Sequence, residues 1–269
     1  MPKSRRILSY LLAVVPFAAQ AQAPRSDSMR VARNARMLQL MQAFQMASSP
    51  ELGEAVNSLL RDDAIHMRMG PRRPLAAGDS ARAADIVKTA KAALAKYADV
   101  DAAVADGYVK FLPFVEDQVV FHYNSIGNVL ATRNAFDVTK PVSLLYKKDE
   151  MGMMKLVGAM YNAMPDATPE QLDARLPTSI AQWHEHVDFC AARPDSVMAG
   201  AIKLDGPTVA RFLRITTPDD CAAAGGRFIP RMFGWMAHVY LFASDDPKVI
   251  WGEGHGSMDV HMHHPPGEH

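Results

Sequence analysis

Ten histidines occur in the 269 residues, and four of them sit in short apolar segments where an imidazole serves either hydrogen bonding or metal ligation. His184 and His186 belong to Trp183-His184-Glu185-His186-Val187-Asp188-Phe189-Cys190. Roughly fifty residues later His238 belongs to Trp235-Met236-Ala237-His238-Val239-Tyr240-Leu241-Phe242, so both segments read W-x-x-H-V. His122 lies in a third segment of the same kind, Val119-Val120-Phe121-His122-Tyr123-Asn124. Imidazoles gathered from neighbouring strands suit zinc or copper, and added thioethers favour copper. His184-Glu185-His186 does not have the spacing of a helical H-E-x-x-H site, so convergence has to come from the fold.

The elements that would position these residues are strands. Alternation then puts His184, His186 and Asp188 on one face of the first W-x-x-H-V segment, and Met236, His238 and Tyr240 on one face of the second. Side-by-side pairing would gather His122, His184, His186 and His238 as a ligand set. The competing reading makes them hydrogen-bonded core histidines, with Trp183 and Trp235 packing in the same layer. His66-Met67-Arg68-Met69 is a further soft patch, whose alternative is a helix end with packing side chains.

The C-terminal stretch 254–269 holds five His and two Met without apolar periodicity. It is expected to be disordered and to bind copper or zinc through His255, His261, Met262, His263 and His264. Many of the 17 Met in the chain, Met37, Met41 and Met46 among them, read as packing residues.

The chain begins with Lys3, Arg5 and Arg6 followed by an apolar run, Ile7 to Ala19, too short to span a bilayer. Residues 1–21 are thus expected to be a signal peptide cleaved after Ala19-Gln20-Ala21, with the mature chain periplasmic or secreted. No other segment is apolar for long enough to be a membrane span. Without the leader's three basic residues, the balance of 29 basic against 29 acidic becomes slightly acidic, which offers nothing to nucleic acid. Cys190 and Cys221 are the two cysteines. In an oxidising compartment they are expected to form a disulfide; the alternative makes Cys190 a metal ligand near His186.

The expected fold class is α+β. A helical arm and linker (22–78) precede an α+β domain (79–253) with a mainly antiparallel sheet of four to six strands and helices on one side. The arm's stripe is Met37, Leu40, Met41 and Phe44, then Leu52, Val56, Leu59 and Leu60. Gly70-Pro71-Arg72-Arg73-Pro74 to Gly78 is the expected boundary. Asp79-Ser80 is expected to cap a helix with stripe Ala83, Ile86, Val87, Ala90, Leu94 and Tyr97. Residues 142–146 and 154–161 are expected to form a hairpin. Short helices are expected over 207–213 and 218–224, ended by Gly225-Gly226.

The succession Gly107-Tyr108, Phe121-His122-Tyr123-x-Asn, Phe136-Asp137, Leu144-Leu145-Tyr146, Lys155-Leu156-Val157-Gly158-x-x-Tyr161 and W-x-x-H-V resembles a group of exported bacterial proteins to which no activity is attached. The resemblance covers about residues 100–190 and implies that this stretch is a domain. In that group the position of Met160 is often Glu; if that Glu is a ligand there, its replacement by a thioether in this chain favours a softer ion.

Three functions fit these residues. One is an exported protein that binds a transition metal, copper before zinc, and sequesters or delivers it. Another is a metal-dependent hydrolase or oxidase on the same four His, with Glu116 or Asp188 as base and Glu185 aimed at the other face. The third is a non-catalytic sheet domain for a ligand or partner. A G-x-S-x-G elbow, a P-loop and a dinucleotide fingerprint are absent from the sequence.

Overall fold

The computed structural model describes residues 63–113, 118–133, 135–193, 195–196, 199–202 and 206–252. The expected signal peptide, most of the helical arm, Glu116 and the His/Met-rich tail lie outside them. What is described is an α+β structure built on one antiparallel sheet. Its strands are Met67–Met69 (β1), Val109–Lys110 (β2), Phe121–Asn124 (β3), Ser143–Lys148 (β4), Met154–Ala163 (β5), His184–Ala192 (β6) and Gly226–Val239 (β7). Their order is β1-β6-β7-β5-β4-β3-β2. Seven strands exceed the four to six expected because β1 and β2 are too short to show an alternation.

One face of the sheet makes the main core. Phe121 and Tyr123 of β3, Leu144 and Tyr146 of β4, Ala159, Tyr161 and Ala163 of β5, and Trp235, Ala237 and Val239 of β7 share a cluster with Trp183. The alternation predicted from sequence thus holds on four consecutive strands. Helix Asp79–Leu94 (α1) covers this face with Ala83, Ala90 and Leu94, and helix Val100–Ala105 (α2) adds Ala103. Two of the phenols in this core end on carbonyls: Tyr146 donates to Tyr97 O at 2.7 Å and Tyr161 to Val138 O at 2.8 Å. Burying their rings therefore leaves neither phenol unsatisfied.

The start of α1 differs from expectation. Its N-cap is Gly78 at φ 90°, and Asp79 lies in the first turn. The Asp79 carboxylate is taken by Arg73 (2.6 and 2.8 Å), by Ala76 N–H (2.8 Å) and by the Ser179 hydroxyl (2.7 Å). Arg73 also bonds Asp173, and Gly70 N–H donates to Trp183 O at 2.6 Å. The Pro/Gly stretch is therefore fastened to the domain at both ends, and β1 lies upstream of it in the same sheet.

Helix Ile126–Ala131 (α3) is capped by Ser125, and helix Pro169–Arg175 (α4) has a full Thr168/Gln171 capping box with Pro at its start. The β4–β5 hairpin turns on Asp149, which accepts from Met151 N–H and Met153 N–H. Helices Gly206–Leu213 (α5) and Pro218–Ala223 (α6) connect β6 to β7. Val209 and Leu213 of α5 pack with Leu112, Phe189, Ile229 and Met232, and Cys221 of α6 is bridged to Cys190 with Cα atoms 5.5 Å apart. This rules out Cys190 as a metal ligand while the bridge is closed. Helix Pro247–Ile250 (α7) ends the described chain. Among the described residues no helix is long and apolar enough to cross a membrane.

Candidate metal centre

The face of the sheet opposite the main core carries the histidines. Directly opposed residues in antiparallel strands share a face, so the register can be read as rows. Asn124 opposes Ser143, Ser143 opposes Met160, and Met160 opposes His238. In the neighbouring rows His122 opposes Leu145 and Leu145 opposes Gly158, while Asn162 opposes Met236, Met236 opposes His184 and His184 opposes Met69. Met67 opposes His186 at the β1 edge. This face thus mixes imidazoles, thioethers and small polar groups.

His122 and His238 meet across it. Their Nε2 atoms are 3.3 Å apart and their ring centroids 5.4 Å. Two strands, β4 and β5, lie between them, and a flat sheet would hold β3 and β7 about 14 Å apart. Side chains standing perpendicular to a flat sheet would keep that separation. The rings can touch only because the sheet curls towards this face. Two features permit the curl. The β4–β5 register slips between Leu145 and Tyr146, and such a bulge bends a strand. Gly158 brings no side chain: a Cβ there would stand against Val239 O and 2.8 Å from Tyr240 Cα.

The hydrogen bonds orient the pair. His122 Nδ1 lies 3.2 Å from Val120 O, so it carries the proton and donates to that carbonyl. Its Nε2 is then the lone-pair nitrogen aimed at His238. A backbone carbonyl fixing the far nitrogen in this way is the usual second shell of a ligating imidazole. Without an ion, the 3.3 Å separation is that of an N–H···N bond donated by His238. It also equals the spacing of about 3.3 Å for two nitrogens each about 2.0 to 2.1 Å from one tetrahedral ion.

The remaining predicted ligands continue as a line. The His184 ring centroid is 5.1 Å from that of His238, and His186 is 5.8 Å from His184. The four histidines therefore form a row, 122–238–184–186, rather than a ring around one point. The reason is the register: His184 lies across from Met236, two residues from His238. Among the described residues no group of three or more His, Cys, Asp or Glu is placed to hold an ion together. The residue directly opposite His238 on this face is Met160, 9% exposed. Asn124 Oδ1 and Asn162 Oδ1 on the same face are buried without a hydrogen-bond partner. Alternation would have shown that Asn124 accompanies His122 and Asn162 accompanies Met160; that His122 and Met160 both come to His238 depends on register and curl.

Other expectations fare differently. Asp188 adopts φ 60° in mid-strand, which interrupts the alternation assumed for it, and the Phe189 ring lies 6.3 Å from that of His186. Glu185 is fully buried on the opposite face, accepts a hydrogen bond from Arg68 Nε (2.6 Å) and is ion-paired with Arg231 Nε (2.7 Å). It is a structural counter-ion, paired as a buried carboxylate requires. His66 is a packing residue as well: Nδ1 faces Val187 O at 3.0 Å, Nε2 faces Leu213 O, and the ring stacks on Phe189 at 4.2 Å. Both of its nitrogens are occupied by backbone carbonyls, so the soft patch reduces to Met67 and Met69. The tail residues His255, His261, Met262, His263 and His264 lie outside the described residues.

Compared with protein-family models, curated proteins and solved structures, the chain matches none.

Proposed function

We propose that this chain is an exported transition-metal-binding protein that holds a copper ion, in preference to zinc, between His122 and His238, and sequesters or delivers it. The observation that carries the reading is the Nε2–Nε2 separation of 3.3 Å, with the His122 ring oriented through Val120 O. Two imidazoles with the Met160 thioether form a soft, neutral donor set suited to Cu(I). Zinc would need further nitrogen, oxygen or thiolate donors, and the described residues bring no third His, Cys, Asp or Glu to the pair. Export is supported by the leader-like N-terminus and by the Cys190–Cys221 bridge, a bond that persists in oxidising compartments.

The test is a Cu(I) titration of the full chain against a chromogenic chelator, with Zn(II) as competitor. The wild type is expected to hold one tightly bound Cu(I) that zinc does not displace. The His122→Ala/His238→Ala variant is expected to lose that equivalent and keep only weaker binding by the tail. Equal stoichiometry and affinity in the two proteins would overturn the assignment.

A further inference from the structure

The donors on the histidine face do not stop at the His122–His238 pair. They run outward through His184 to the edge of the sheet, where β1 contributes Met-Arg-Met. Its two thioethers are set against the two imidazoles of β6, Met67 opposite His186 and Met69 opposite His184. Exposure falls along this line: Met69 is 46% exposed, while Met236 is 5% and His184 1% exposed. Successive ring centroids are 5.8, 5.1 and 5.4 Å apart from His186 through His184 and His238 to His122. Arg68, between the two methionines, is turned to the opposite face and neutralised by Glu185, so no cation stands in the line.

We infer that Met67, Met69, His184 and His186 form a second, outer station for a soft monovalent cation and pass it inward to the His122–His238 pair. The inference rests on the reading above for the inner station alone. Steps of 5 to 6 Å between rings let an arriving donor bind before the departing one lets go, so the ion is never bare in the apolar interior. The exchange involves no change of oxidation state. The ion leaves a thioether for an imidazole lone pair, then reaches the inner pair, where it takes the place of the proton between the two Nε2 atoms. That proton passes by way of solvent to His238 Nδ1, so the ring binds the ion as a neutral imidazole and no net proton is released. Thioethers suit the exposed end because they bind Cu(I) or Ag(I) weakly and neither gain nor lose a proton in doing so.

The experiment uses the full chain and Ag(I), a redox-inert probe, followed by stopped-flow and by titration. Met67→Leu/Met69→Leu keeps volume and removes both sulfurs. This variant is expected to fill the inner station about tenfold more slowly with unchanged final occupancy. In the His122→Ala/His238→Ala background the outer station is expected to retain one weakly held Ag(I), which the added Met→Leu changes remove. Wild-type loading rates in Met67→Leu/Met69→Leu, together with no Ag(I) bound outside the tail in the double-Ala protein, would overturn the outer station and leave the inner one standing. Loss of nothing in the double-Ala protein would overturn the inner assignment and the relay with it.

Discussion

At the scale of single residues, charge and polarity are handled by short-range partners. Asp79 shows how. Hydrogen bonds from Arg73, from Ala76 N–H and from the Ser179 hydroxyl hold its carboxyl well below the usual carboxylate range. A group whose folded pKa is depressed stabilises the fold above its unfolded pKa, about 3.9, and loses that contribution as pH falls towards the folded value. Asp79→Asn is therefore expected to lower stability by a constant amount from neutrality down to about pH 5, with the gap to wild type closing below about pH 4. Denaturant titrations at several pH values check this. A gap that widens in acid would show that Asp79 is not the anion that anchors Arg73.

At the scale of elements, the candidate centre depends on how closely β5 and β7 approach. A side chain at position 158 would meet Val239 O, Tyr240 Cα at 2.8 Å and Val239 C at 3.0 Å, all backbone that has no rotamer to retreat into. Gly158→Ala is expected to cost about 1 to 3 kcal/mol through forced separation of the strands. It is also expected to weaken the tight Cu(I), because flattening the curl draws His238 away from His122. Equilibrium unfolding and the Cu(I) titration read the two effects independently, and wild-type values in both would show that the curl does not depend on this glycine. The bulged part of β7 has a related role. Phe233 at φ 65° and Gly234 at φ 83° let the strand bow between His184 and His186, while Arg231 reaches Glu185.

At the scale of the whole molecule, the Cys190–Cys221 bridge ties β6 to the connection leading into β7, the two strands that carry three of the four histidines. It closes a loop with a sequence separation of 31, for which chain entropy predicts about 3 to 4 kcal/mol. Cys190→Ser/Cys221→Ser is expected to lose about that much in guanidinium unfolding. Wild-type stability would mean that the α5–α6 packing already restrains the loop. Gly226 lies against both sulfurs, so the close passage of β7 beside the bridge admits no larger residue.

The sequence alone determined what depends on local periodicity and side-chain chemistry. Phe121 and Tyr123 alternate with His122 and Asn124, and Ala237 and Val239 flank His238, so these strands and their core face are legible in the order of the residues. So is the choice of His122, His184, His186 and His238 as the residues to watch. Tertiary structure decided their grouping. Register places His184 across from Met236 and His238 across from Met160, and curl brings β3 to β7 over two intervening strands. Neither quantity has a local signature, because register is set by pairing between distant segments and curl by bulges and a missing side chain. The four imidazoles therefore lie along a line, with the Nε2 atoms of His122 and His238 facing each other at 3.3 Å.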